Sequence, residues 1–395
     1  MKVLHLNIRA AQGGAGKVMI DLHRRMRDAE INSRAAYGYA SGITDDPAVI
    51  SDETVVRLGS RTAVLVNYMS HLLIGREAIT CNRNKLQAMI AECDVIHLHC
   101  PHHYYMSWTD FLAIAAVERK PIVATAHDWW FVTGRCGFIG DCGGWRRSCG
   151  ECGDSHKGDL PTLFDISRQV RRRKIASIDE FGTSFQFVCP SEHLAKDYRS
   201  VFSRNPVHVV PNFLDLDFEN GLKTPGSDSE RPAYLISASD LSYTGKVDPS
   251  LVTELLKRSV PLQAMGRNNP FSGPGFDYLG EVRSRQEVLT YFRAAHALIF
   301  CSTVDNAPLT IIEALSAGCY VLAYSSPAAR EMLAAVGGRC VEGRDEMLSI
   351  IESGNIADLY DGIERSELAA RARSVYSGSQ AVSSYSKIYS AAIAT

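Results

Sequence analysis

The chain has 395 residues, 46% of them hydrophobic and 22% charged, with a formal net charge of −2. That composition excludes a disordered chain, and the length suffices for two domains of ordinary size, each with its own core. The small net charge hides an asymmetry, because residues 1–210 carry 26 Lys and Arg against 22 Asp and Glu while the remainder carries 16 against 22.

In chain order, KVLHLNI (2–8) reads as a buried strand, a glycine turn follows, and a helix through 16–29 leads to a second strand, SRAAYGYA (33–40). This is a βαβ opening. The N-terminus shows no apolar signal core or cleavage site, so a cytoplasmic location is expected. The most apolar stretch, TAVLVNYMSHLLIG (62–75), is shorter than the ~20 residues of a membrane span and contains Asn67 and His71. Short apolar strands at 94–100, 121–127, 185–191 and 208–212 then alternate with helical segments. The basic run of Arg168, Arg171, Arg172, Arg173 and Lys174 is either a solvated helix face or a patch for an anionic membrane surface. Residues 213–232, rich in Gly, Pro and polar side chains, read as a linker. The alternation resumes with strands at 233–239, 260–266, 296–302 and 319–325. The pattern predicts an α/β protein of two facing Rossmann-like domains with a cleft between them, 1–212 and 233–375, followed by a C-terminal helix in 376–395.

Four places carry residues suited to chemistry. The loop QGGAGKV (12–18) brings Gly14 and Gly16 to the start of the first helix, where bare N–H groups approach a phosphate closely; a plain tight turn uses the same residues. It is not a P-loop, which requires glycine at Ala11 and a hydroxyl at Val18, nor a dinucleotide fingerprint, which requires glycine at Met19. His127 and Asp128 end the strand PIVATAH, where side chains of an α/β domain project toward ligands. Asp305 and Glu313 stand eight apart across a turn in which Pro308 pre-sets entry to the helix TIIEALSAG, and this spacing fits either a nucleotide-sugar site or an ordinary βα unit with a solvated Glu. Cys136, Cys142, Cys149 and Cys152 follow C-x5-C-x6-C-x2-C within the glycine-rich loop 134–153, compatible with a structural zinc, with reduced thiols or with a redox pair. The Asp215-Leu-Asp217 triplet resembles a metal-binding aspartate pair, but it adjoins the linker and reads as accidental.

The stretch STVDNAPLTIIEALSAG (302–318), with AHDWWFVTG (126–134), DLSYTGK (240–246) and SSPAAREML (325–333), resembles retaining GT-B glycosyltransferases of family 4, and the likeness runs through nearly the whole chain. The resemblance implies transfer of a hexose from a nucleoside-diphosphate sugar, with no metal required for catalysis, to a lipid-pyrophosphate-linked oligosaccharide in bacterial exopolysaccharide assembly. UDP-galactose is the donor it suggests, and no nucleic-acid partner is expected. From the sequence the protein is expected to be cytoplasmic or bound peripherally to the inner membrane surface, with a C-terminal helix that crosses back to the first domain. By resemblance, His127 and Asp128 lie near the reacting sugar, Asp305 and Asn306 hold that sugar, Glu313 holds the ribose and Lys246 the diphosphate. Gly14, Gly16, Gly266, Pro308, Leu309 and Thr310 complete the donor contacts. Most members have Glu at the position of Asp305, and Asp240 stands where they carry an Arg, so one cation of the usual pair is missing here; Arg267 or Arg330 are candidate substitutes. A nucleotide-sugar epimerase on the same fold and a non-catalytic sugar-binding scaffold are the alternatives.

Overall fold

In a computed structural model, residues 1–39, 51–153, 160–223 and 233–395 are described. The chain forms two compact units, Met1–Pro211 with Ser379–Thr395, and Asn212–Gly378. The first is built on a seven-stranded parallel sheet in the order β3-β2-β1-β4-β5-β6-β7. Its strands are β1 (Lys2–Asn7), β2 (Asn32–Tyr37), β3 (Val55–Arg57), β4 (Val95–Leu98), β5 (Ile122–Thr125), β6 (Phe185–Cys189) and β7 (Val207–Val209). The inner strands β4, β5 and β6 are buried at every residue, as a parallel sheet covered on both faces requires, so they show a continuous apolar run instead of alternation.

The second unit carries a five-stranded parallel sheet in the order β10-β9-β8-β11-β12. Here β8 is Tyr234–Asp240, β9 Leu262–Arg267, β10 Phe276–Gly280, β11 Ala297–Phe300 and β12 Tyr320–Ala323. Each unit has a separate core, with Phe111, Phe185, Phe187 and Tyr198 in the first and Leu235, Leu255, Leu298 and Val321 in the second. Both sheets reverse strand order once, between β1 and β4 in the first and between β8 and β11 in the second. The crevice at the carboxyl ends of such a pair is where an open α/β sheet binds ligands.

Three expectations differ from what forms. The strand expected over 33–40 ends at Tyr37, and residue 40 lies outside the described residues. Part of the predicted linker is structured: Asp215 caps helix α7 (Leu216–Leu222) by accepting from the Phe218 N–H at 2.7 Å, and Phe218 is wholly buried in the second core. Residues 224–232 lie outside the described residues. Finally, the basic run does not form one exposed patch, because Lys174 is buried over the Trp130 ring, 3.6 Å from its centroid, and Arg171 donates to the Val132 carbonyl. The C-terminal helix, Gly378–Ile393, belongs to the first unit, where Tyr385 meets Thr125 at 2.9 Å and Tyr389 meets His97 Nδ1 at 2.6 Å.

Candidate active site

In the second unit the polar side chains gather at the switch point. The loop after β8 presents Lys246, and the loop after β11 presents Ser302 and Asp305. The Thr303 N–H donates to the Gly245 carbonyl at 3.1 Å and joins the two loops. Lys246 Nζ lies 2.9 Å from Asp305 Oδ1, while Ser302 Oγ donates to Asp305 Oδ2 at 2.6 Å, so both carboxylate oxygens are held. Pro308 occupies the N-cap of helix α10 (Leu309–Ser316) with φ −67°, and the half-buried Leu309 and Thr310 form its first turn. N–H groups at a helix start face outward without intrahelical partners and favour an anion. Asn306 is buried beneath them, and Asn212 Nδ2 donates to the Ala307 carbonyl at 2.8 Å, which pins the loop.

Glu313, one turn further on, is buried against Arg285, whose guanidinium also pairs with Asp215 at 2.5 Å. The two carboxylates raise the already high pKa of Arg285 against the opposing effect of burial. Asp215, read from the sequence as part of an accidental metal-like pair, has a structural role: it caps a helix and anchors the cation that holds Glu313. Nothing in the spacing of Asp215, Arg285 and Glu313 along the chain announces that they meet.

Asp240, at the position of the missing arginine, braces its own loop. Its carboxylate accepts from the Ser242 N–H at 2.9 Å and from Asn268 Nδ2 at 2.7 Å. Arg267 lies beside it in register but turns to the Ser239 carbonyl and Glu281. Gly266 is a steric requirement, since φ is +150° and a Cβ there would stand 2.0 Å from the Ala238 carbonyl oxygen.

In the first unit the corresponding edge holds two further groups. Helix α1 (Gly13–Asp28) begins earlier than the spacing predicts, so Gly14 and Gly16 lie within its first turn. A Cβ at Gly14 would meet nothing, whereas at Gly16 it would press on the Arg9 and Ala10 carbonyls at 3.2–3.3 Å. After β5, His127 Nε2 lies 3.2 Å from His99 Nδ1, and burial lowers the His127 pKa to about 4, so the imidazole is neutral at physiological pH. Asp128 accepts from the Trp130 N–H at 2.8 Å and pairs with His102 Nε2 at 3.2 Å, while its carbonyl accepts from the Tyr198 hydroxyl at 2.7 Å. Burial opposes charge on both partners. The Cys100 sulfur, 3.1 Å from His102, and the Asp128 carboxylate outweigh it and raise His102 to about 10, and the imidazolium in turn holds Asp128 below its usual range. His99 and His102 were not singled out from the sequence, although their place at the end of the strand DVIHLHC, next to the strand of His127, is a usable signal.

The four loop cysteines lie near enough for Cys142, Cys149 and Cys152 to raise the Cys136 thiol, but they do not converge as closely as a preformed ligand set. Among the described residues, the groups of three or more potential ligands converging within 4.8 Å are His5, His97, His99 and Cys100, His102, His103, and the loop cysteines form none. Burial raises the Cys136 and Cys149 thiols, and neighbouring loop cysteines add to the shift. The loop is held by the buried Trp145, by Arg146 at 3.3 Å from Asp197, and by the Cys152 N–H donating to Asp165 at 2.8 Å.

Two parallel-sheet Rossmann-like units, each with polar side chains at the carboxyl edge of its switch point, have the architecture of GT-B glycosyltransferases. The chain belongs to Glycosyltransferase Family 4, whose family model matches residues 12–218, and the model of Glycosyl transferases group 1 matches residues 273–364. It is 30% identical to WcaC of Escherichia coli (strain K12), described as a colanic acid biosynthesis glycosyl transferase, over 98% of this chain and 99% of that protein. Among solved structures, Anabaena Alr3699/HepE in complex with UDP and glucose aligns with a TM-score of 0.66 at 13% identity, covering 99% of this chain and 100% of that one. Sucrose-phosphate synthase from Thermosynechococcus elongatus aligns at 0.62 and 12% identity, covering 100% of both.

Proposed function

We propose that this glycosyltransferase retains anomeric configuration while moving a hexose from a nucleoside-diphosphate sugar to a lipid-linked oligosaccharide in bacterial exopolysaccharide assembly. The observation that carries the reading is the Lys246–Asp305 pair spanning the switch point at the start of helix α10, with Glu313 fixed one turn behind it. In this reading the diphosphate lies against the α10 N-terminus and Lys246, whose cation offsets the charge that builds on the leaving group. Asp305 and Asn306 orient the sugar, and Glu313, fixed by Arg285, accepts from the ribose hydroxyls. Gly14 and Gly16 give the first unit a bare backbone toward the donor. Neutral His127 donates a hydrogen bond near the sugar ring, and Asp128 fixes the neighbouring loop. The departing phosphate takes the acceptor proton on the same face, so no nucleophilic carboxylate is required. The similarity to WcaC supports the exopolysaccharide setting, and the UDP bound in the Alr3699/HepE structures supports a uridine donor, with UDP-galactose the first to try.

The test is incubation of purified protein with a panel of nucleotide sugars, with and without lipid-linked acceptor. Acceptor-dependent release of nucleoside diphosphate is expected. Sugar isomerisation without acceptor identifies an epimerase, and binding without turnover identifies a scaffold; either result overturns the proposal.

A further inference from the structure

Strand alternation gathers histidines on one buried face of the first sheet. His97 and His99 stand two apart on β4, and His5 pairs with His97 in register on the neighbouring β1. On the other neighbour, β5, Thr125 ends the strand and His127 follows two residues beyond it. His5, His97 and His99 are buried. Burial first, and then the neighbouring histidines, hold all three well below 6.5, so each is neutral at physiological pH and carries one ring proton.

A neutral imidazole donates from one nitrogen and accepts at the other, so a row of them has a direction. His5 Nδ1 lies 3.4 Å from His99 Nε2, and His99 Nδ1 lies 3.2 Å from His127 Nε2. Two directions satisfy these contacts. Starting from His5, each ring carries its proton on Nδ1 and donates to Nε2 of the next. Starting from His127, each ring carries its proton on Nε2 and donates to Nδ1 of the next. The far nitrogen of the row separates them, because His5 Nε2 is buried without a hydrogen-bond partner among the described residues. In the first direction this atom is an under-used acceptor; in the second it is a buried N–H with no acceptor, the rarer fault in folded proteins. The side branch imposes no contrary order. His97 Nε2 meets Thr125 Oγ1 at 2.7 Å and His97 Nδ1 meets the Tyr389 hydroxyl at 2.6 Å, and hydroxyls donate or accept as required. That branch holds the His97 ring beside His99, with the centroids 4.0 Å apart.

We propose that His5 and His99 form a one-way hydrogen-bond chain that keeps the His127 proton on Nδ1, with His99 the positioning residue that sets this tautomer. The proposal rests on the preceding reading for the use of that proton, as the donor near the sugar ring, but the tautomers are read in the protein alone, so the two fail separately. The test is long-range proton–nitrogen correlation NMR of the ligand-free protein labelled with isotopic histidine, the three rings being assigned by single substitutions. His5, His99 and His127 are all expected as the Nδ1–H tautomer, which a free histidine side chain disfavours. His127 protonated on Nε2 in the wild-type protein overturns the proposal. His99→Asn places an amide N–H where Nδ1 stood, whereas His99→Leu keeps a similar volume and has no donor. His99→Asn should therefore hold the His127 proton on Nδ1 and recover most of the transfer from UDP-galactose. His99→Leu should move the proton to Nε2 and lower kcat about tenfold, with KM and the thermal shift induced by UDP close to wild type. A ring that serves packing alone predicts equal losses in both variants, and that result also overturns the proposal.

Discussion

Replacing Arg285 by Met tests whether the buried carboxylate of Glu313 depends on its cation. Methionine keeps the length and the contact with Phe218, whose ring centroid lies 5.2 Å from the guanidinium carbon, but removes the charge between Glu313 and Asp215. The side chains are only 18%, 10% and 19% exposed for Arg285, Glu313 and Asp215, so solvent screens the loss weakly. Removing one partner of a buried pair costs about 3–5 kcal/mol, and Asp215, nearest to solvent, places this case at the lower end, about 3 kcal/mol. Native-state hydrogen exchange, read by mass spectrometry on peptides covering 309–316, should therefore accelerate about a hundredfold. Glu313→Gln in the Arg285→Met background removes the stranded charge, and the double-mutant cycle should show a coupling of about 1–3 kcal/mol. Additive effects of the two substitutions would refute the reasoning, since Glu313 would then be stable without its cation. In the donor reading, Arg285→Met should also raise the KM for nucleotide sugar more than it lowers kcat.

Lys246→Gln leaves Asp305 without its cation and removes the positive charge assigned to the leaving diphosphate; a fall in kcat of about 10²–10³ is expected, measured by release of nucleoside diphosphate. Stability should fall on the acid side. The buried His5 and His97 have pKa values well below 6.5, so the unfolded chain takes up protons that the folded unit refuses as pH drops below about 6.5, with a slope of up to about 2.7 kcal/mol per pH unit for the pair. On the alkaline side His102, raised to about 10, loses stabilisation between about 6.5 and 10 while Lys174, lowered to about 7, gains it over a similar range, so urea midpoints should be nearly flat there. Cys142→Ser should change stability by no more than about 0.5 kcal/mol, and elemental analysis of chelator-free protein should find no stoichiometric zinc in the loop. Gly266→Ala, with its Cβ driven against the Ala238 carbonyl, should lower the melting temperature of the second unit, measured by calorimetry.

The long apolar runs were readable because parallel strands buried on both faces are apolar throughout, and ten of the strands lie where such runs occur. The two missed are sheet edges. Val55–Arg57 has three residues and none fully buried, and Phe276–Gly280 carries Asp277 and Tyr278 outward, so neither shows the pattern of a covered strand. Local pattern places Lys246 and Asp305 in strand-end loops and Glu313 in the helix that follows, and the structure brings Lys246 and Asp305 together. Arg285 and Asp215 were missed because their meeting depends on how α7 and α9 (Arg285–Ala294) pack around α10, which one-dimensional spacing does not encode. The cysteine spacing shows that the four residues share one loop, but not how closely their sulfurs approach, which depends on how the loop folds around the buried Trp145.

The most direct test of the donor site is transfer of radiolabelled sugar from UDP-galactose, and from the other common nucleotide sugars, into the organic phase of a lipid-linked acceptor extract by wild type and by Asp305→Asn. The account predicts acceptor-dependent label in the organic phase for wild type, retention of the anomeric configuration in the product, and loss of nearly all transfer in Asp305→Asn with UDP-induced thermal stabilisation preserved. Transfer by Asp305→Asn at the wild-type rate, or inversion of the anomeric centre, would contradict it.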